Sequence, residues 1–340
     1  MSAELDRFVR TQAGLITRAQ ANSCGIARSA LRHRLTSGRW QAIVPGVFAV
    51  FPGPMTDEQR LVAAGLYAGS ASIISGAAAC RVAGLRYVPD TDVVAVLLPA
   101  FVRRRDSGFV RVFRTDRMPT STRLPVSHPT ASRARSVEVP VAPTVRAVLD
   151  LAREIGMATA AVVPRRANGQ VVLRYPGARL VYTRALQDVR ALICESVQRG
   201  KARIPDLVDE LDAGPQQGSG LARLALADVS AGCRSAPECE LRDLIVDCDE
   251  LPEPRWNLPL PGYPGIVPDG CWPDARLVLE VDSIEWHRFG DAPERTEQRR
   301  ALLASLGWTV YPVSPRRLRT EPLVVLAEIV AAYRASTRDR

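Results

Sequence analysis

Lysine is nearly missing from this sequence. Lys201 stands alone among 45 basic side chains, and the rest are arginine. The basic character therefore reflects either a polyanionic partner or an arginine-rich coding bias, and composition alone leaves both open. Histidine is scarce too, with only His33, His128 and His287, and none of the seven cysteines forms a CxxC pair. Those spacings do not assemble a zinc site. An odd cysteine count in a long chain argues against a disulfide framework and for a reduced, cytoplasmic setting. The opening residues MSAELDRFVR are charged and have no apolar core of the signal-peptide kind. One run, residues 61–80, is free of charge over a membrane-spanning length, but it is rich in Ala, Gly and Ser. Ser70 and Ser75 read as breaks between two helices of a soluble protein, so no membrane partner is expected. No internal repeat is evident.

What is present is a chain of 340 residues, 46% of them hydrophobic, enough for two or three packed domains and too apolar for large-scale disorder. The net charge of +9 is unevenly spread: +15 over residues 1–200, −9 over 201–300 and +3 over 301–340. A basic front suggests a polyanion, of which nucleic acid is the commonest.

The front end has a definite pattern. Residues 4–12 have helical spacing, with Leu5, Phe8 and Val9 on one side, and Gly14 ends the helix. Thr17 caps a second short helix that stops at Gly25. Residues 26–37 give a third, with Ile26, Ala30, Leu31 and Leu35 inward and Arg28, Ser29, Arg32, His33 and Arg34 outward. Residues 38–50 follow as two extended runs around Pro45-Gly46. Three short helices and a hairpin describe a winged helix-turn-helix, whose third helix enters the major groove while the hairpin touches the backbone. Arginines on that face pair with phosphates or read guanine. The candidate DNA-binding set is Arg18, Arg28, Ser29, Arg32, His33, Arg34 and Arg39. Residues 14–50, GLITRAQANSCGIARSALRHRLTSGRWQAIVPGVFAV, also resemble the N-terminal domain of AbiEi-type antitoxins. The likeness lies in the Gly-aliphatic-x-Thr-Arg start, the Gly between helices two and three, and Gly-Arg-Trp leading to a Pro-Gly-Val-Phe wing. It implies operator binding or autoregulation and a cognate toxin partner.

In the middle, residues 70–85 read as a packed helix, 91–98 and 109–115 as strands, and 142–154 as a helix. Arg103, Arg104 and Arg105 lie in the turn between the strands, either a grip for phosphates or a solvated turn. Residues 181–230 read as helices with short connections. GPQQGSG (214–220) has the clearest linker-like composition in the chain.

Towards the end, Ser235 and Glu238 have capping-box spacing before a helix that runs to about Leu251, and WNLPLPG (256–262) reads as a strand. Residues 265–272 and 275–282 flank a turn at Trp-Pro-Asp-Ala. A turn centred between Asp274 and Ala275 sets Asp269 opposite Glu280. Along the second strand Val278, Glu280 and Asp282 share one face, and Leu277, Leu279 and Val281 the other. Three acids then converge, like charges repel, and a divalent cation is the natural resolution. Such a site suits phosphodiester hydrolysis, with Glu238 completing the shell and His287 as base or phosphate contact.

Residues 235–318 resemble the very-short-patch-repair (Vsr-like) endonuclease domain of the PD-(D/E)XK superfamily, through SAPECELR, VPDGCW, ARLVLEVDSIEWH and RRALLASLGWTVYPVS. The resemblance implies Glu238, Asp269 and Glu280 as ligands to Mg²⁺ or Mn²⁺, with His287 as the histidine after the strand. Two departures stand out. Asp282 occupies the place where many superfamily members have lysine, and Ser283 follows it in place of glycine. Arg299 and Arg300, on the next helix, are candidates to face a phosphate, and residues 321–336 form a closing amphipathic helix.

The expected architecture is α/β and multidomain. It has a winged helix-turn-helix over 1–52, an AbiEi-like α/β middle over 53–180, a helical connector over 181–230 and a restriction-endonuclease-like domain over 231–340. Two functions follow: a metal-dependent DNA endonuclease guided by its basic front, or a non-catalytic antitoxin-type regulator that retains a degenerate nuclease domain. RNA processing by the same carboxylates is a weaker third reading.

Overall fold

A computed structural model describes residues 3–127, 136–162, 178–282 and 292–338. The chain is a mixed α/β protein that divides into two compact units, Met1–Arg223 and Leu224–Arg340.

The first unit begins with α1 (Ala3–Thr11), β1 (Leu15–Thr17), α2 (Arg18–Ser23), α3 (Arg28–Thr36), β2 (Gln41–Val44) and β3 (Val47–Ala49). The strands form an antiparallel sheet in the order β1-β3-β2. This order of elements is consistent with a winged helix. Thr17 caps α2 as its sequence predicts: its side chain accepts from the Gln20 N–H, and the Gln20 side chain accepts from the Thr17 N–H. Two orphan donors are thereby satisfied. Leu5, Ile16, Ala21, Ile26, Leu31, Trp40 and Phe48 close a small core. Ala30, expected inside, is exposed. The inner face of α3 rests on Leu31 with Leu35 at its margin, because nine residues present only a narrow stripe. Between β2 and β3 the turn passes through Gly46 at φ 82°, a conformation that side chains with a Cβ resist.

The unit continues with α4 (Asp57–Ala68), β4 (Ile73–Ser75), α5 (Gly76–Val82), β5 (Val94–Pro99), β6 (Val110–Thr115), β7 (Thr122–Ser127) and β8 (Ser136–Val141). After these come α6 (Thr144–Val162), α7 (Ala178–Gln198) and α8 (Ile204–Ala213), and the division between the units falls within α9 (Gly220–Ser230). The expected continuous helix over 70–85 is a strand followed by a helix. Ile73 and Ile74 are β-branched and buried, and they pair with β5 on one side and β8 on the other. The sheet runs β6-β5-β4-β8-β7, with β4-β8 and β5-β6 parallel. The front elements are fixed to this region: the Gln59 side chain on α4 donates 2.9 Å to the Ala13 carbonyl.

GPQQGSG is not a loose tether. A Cβ on Gly156 of α6 would lie 2.1 Å from the Gly218 carbonyl oxygen, so helix and loop touch backbone to backbone. Beneath the loop lies a buried ionic network. Asp150 accepts from Ser75 Oγ at 2.7 Å, from Arg146 Nε at 2.9 Å and from Arg153 Nη1 at 3.3 Å. Arg146 also reaches Glu210 on α8. Burial pushes the Asp150 carboxyl up, against the pull of Arg146, Ser75 and Arg153.

The second unit holds α10 (Ala236–Val246), β9 (Arg255–Trp256), β10 (Gly270–Trp272), β11 (Leu277–Val281), α11 (Ala292–Ser305), β12 (Thr309–Val313), α12 (Pro315–Thr320) and α13 (Pro322–Arg338). Helix α10 stops at Val246, short of the expected Leu251, and the strand expected over 256–262 shrinks to β9, ended by Asn257 at φ 48°. The sheet order is β12-β11-β10-β9, with β10-β11 an antiparallel hairpin and β11-β12 parallel. Hairpin register matches the arithmetic of the sequence: Gly270 faces Leu279, Cys271 faces Val278 and Trp272 faces Leu277. Strand β11 is buried on both faces. Leu277 and Leu279 join a core with Leu241, Ile245 and the α13 residues Val325 and Ile329. Val278 joins another with Cys271, Leu303 and Trp308. The seven cysteines are free thiols. Among the described residues no helix is long and apolar enough to cross a membrane.

Candidate functional site

Two places carry chemistry. The first is the outer surface of the front domain. Arg28, Ser29, Arg32 and His33 are exposed along α3, and Arg18 and Arg39 are exposed beside it. None of the ion pairs among the described residues includes Arg18, Arg28, Arg32 or Arg39. Arg34 departs from its expected outward place. Its guanidinium lies 4.9 Å from the centre of the Trp40 ring, with Nη1 buried. It covers the core edge by a cation–π contact, so it is removed from the DNA-facing set. Arg18 also stacks, 5.2 Å from the Phe48 ring, yet it stays exposed.

The second place is the carboxylate cluster of the second unit. Asp269 Oδ2 accepts from the Val281 N–H at 2.7 Å, a contact across the hairpin that follows from the register. Glu238 is buried at the start of α10. Its oxygens accept from Ser235 Oγ, the Arg234 N–H and Asn257 Nδ2, at 2.9, 2.9 and 3.0 Å. The box foreseen there is thus half formed, since Ser235 Oγ does accept from the Glu238 N–H, but Glu238 reaches past the cap to residue 234. The Asp269 carboxyl is pushed up to about 7, by burial first and then by Glu238 and Glu280, against the Val281 N–H and Arg299. Glu238 and Glu280 thus lie near enough to Asp269 to raise its carboxyl.

The cation that should hold them is another matter. Arg299 Nε donates 2.8 Å to Glu280, and Arg299 Nη2 donates 2.7 Å to the Val267 carbonyl. Arg300 pairs with Asp282. The donor set has the oxygen chemistry that Mg²⁺ favours. However, among the described residues no group of three or more His, Cys, Asp or Glu side chains is placed to hold one ion. Glu238 spends both oxygens on local donors, and arginines from α11 stand against Glu280 and Asp282. As these side chains stand, the expected metal set of Glu238, Asp269 and Glu280 does not fit an ion. His287 lies outside the described residues.

Sequence reasoning missed Asn257, which bridges Glu238 and the Gly232 carbonyl while its own Oδ1 is buried without a partner among the described residues. Its positive φ, next to a short strand, left no periodic signal. It also missed the Arg146–Asp150–Arg153 cluster. There the signal was available, since charges at i, i+3 and i+4 sit in an otherwise apolar helix.

Two curated relatives match: uncharacterized protein MT2308 of Mycobacterium tuberculosis (strain CDC 1551 / Oshkosh) and uncharacterized protein Rv2248 of Mycobacterium tuberculosis (strain ATCC 25618 / H37Rv). Each is 34% identical over 148 residues, covering 43% of this chain and 53% of the relative. The chain therefore spans about half the length of the curated relatives it matches. Residues 3–50 match the family model described as transcriptional regulator, AbiEi antitoxin, and so carry a domain of that family.

Proposed function

We propose that this protein is a DNA-binding regulator of antitoxin type, with α3 in the major groove and the β2-β3 turn on the backbone. The observation that carries it is the exposed face of α3, with Arg28 and Arg32 outside every ion pair among the described residues and His33 beside them, on a domain of a transcriptional-regulator family. A cognate toxin is the protein partner this reading implies. The test is binding to a mixed-sequence duplex, followed by fluorescence anisotropy across a salt series. Losing two phosphate contacts lowers the salt slope by about 1.8, which corresponds to about thirtyfold weaker binding near 0.15 M salt. Arg28→Ala with Arg32→Ala should show that loss. An unchanged affinity and slope would remove α3 from the interface.

A second reading attaches to the carboxylate cluster, where Asp269 is crowded by Glu238 and Glu280. It is a Vsr-like endonuclease that cuts DNA with Mg²⁺ or Mn²⁺, and it requires Arg299 and Arg300 to leave Glu280 and Asp282. Nicking of supercoiled plasmid decides it. The arginine pairing predicts no nicking with either metal. Metal-dependent nicking lost in Asp269→Ala with Glu280→Ala would instead establish the nuclease.

A further inference from the structure

The arginine turn between β5 and β6 has no part in either reading, yet its place is specific. Arg104 lines an open cleft of about 300 Å³ together with Thr17, Arg18, Gly46 and Tyr67. The cleft lies inside the first unit, where the β2-β3 turn meets α4. Both arginines are held by aromatic rings: Arg104 lies 5.6 Å from the Tyr67 ring centre, and Arg18 lies 5.2 Å from that of Phe48. Tyr67, itself buried, donates its hydroxyl to the Arg105 carbonyl at 2.8 Å and so pins the turn. Neither guanidinium joins an ion pair among the described residues, although both are exposed.

Two cations stacked on rigid rings, facing one concave surface and lacking a carboxylate, form a site for a tetrahedral oxyanion. Stacking restrains the long side chains before a ligand arrives, which lowers the ordering entropy that binding would otherwise lose. Arg18 follows β1 and its N–H donates 2.8 Å to the Gly46 carbonyl, so the cleft borders the turn assigned to the DNA backbone. We propose that this cleft takes a backbone phosphate of the duplex, so that the DNA-contacting surface extends from the winged helix onto the α/β region through Arg104. The inference rests on the DNA-binding reading and names a contact that reading does not contain.

The full-length chain tests it in the same anisotropy salt series. Losing one phosphate contact lowers the slope by about 0.9, or about fivefold in affinity near 0.15 M salt. Arg104→Met, which keeps bulk over Tyr67, should show this, and Arg104→Lys should keep the slope. If Arg104→Met binds as the parent does while Arg28→Ala with Arg32→Ala weakens binding, the cleft is outside the footprint and the proposal fails alone. If no variant alters binding, the DNA reading fails with it. Inorganic phosphate and a mononucleotide form the third arm. A rise in melting temperature with either, lost in Arg104→Met while duplex binding is unchanged, would make the cleft a small-anion site and overturn the proposal.

Discussion

Asp269→Asn should stabilise the protein by about 2–3 kcal/mol at pH 8 and leave it nearly unchanged at pH 4. The Asp269 carboxyl is raised from 3.8 to about 7 in the fold, by burial and by Glu238 and Glu280. The folded state therefore binds the proton more tightly than the unfolded state does. Stability contributed by this group is fully present below about pH 4 and is lost as pH rises towards 7, after which the loss is constant. The full shift corresponds to about 4 kcal/mol, and partial contact of the carboxyl with solvent lowers what substitution recovers. Asparagine keeps an oxygen for the Val281 N–H and removes the charge that Glu238 and Glu280 repel. Urea unfolding at several pH values, read by tryptophan fluorescence, measures the difference between the two proteins. Trp256, Trp272 and Trp308 report on this unit. Asparagine destabilising the protein at pH 8 would mean that the acids are already relieved.

Register, capping and the apolar stripes were legible because each depends on near neighbours. A turn at Asp274-Ala275 fixes which residues of the hairpin face each other, and alternation then fixes the faces. Thr17 and Gln20 announce their helix within four residues. What charged side chains do at long range was not legible. Whether Glu280 meets a metal or Arg299 is decided by a helix 19 residues further on. Arg34 was assigned outward by period alone, because nothing local says that Trp40 offers its ring. The same limit left Arg104 open between a phosphate grip and a solvated turn, because its partner Tyr67 lies on another element. Composition misled in the opposite sense at Ile73-Ile74, where a run of small residues around two β-branched ones looked helical but a sheet claims them.

Gly156→Ala should destabilise the first unit by about 3 kcal/mol or more, although alanine is the better helix former. Gly156 lies within α6, where local propensity favours the change by up to about 1 kcal/mol. Its new Cβ would come 2.1 Å from the Gly218 oxygen and 3.0 Å from the Gly218 carbon, and neither backbone atom can swing aside as a flexible side chain would. Relief requires the 214–220 loop to lift. Gly214 is seated against Arg153, so lifting admits water to a buried guanidinium and to Asp150 beside it. Breaking into such a network leaves uncompensated charge, and the expected loss reflects that as well as the clash. Gly65→Ala gives the contrast. Gly65 lies within α4, with nothing within 4 Å of where its Cβ would stand, and alanine there should stabilise by about 0.5–1 kcal/mol. Circular dichroism melts of both variants test the pair. Opposite signs at two mid-helix glycines would locate the difference in the loop, and equal gains would mean that GPQQGSG moves freely after all.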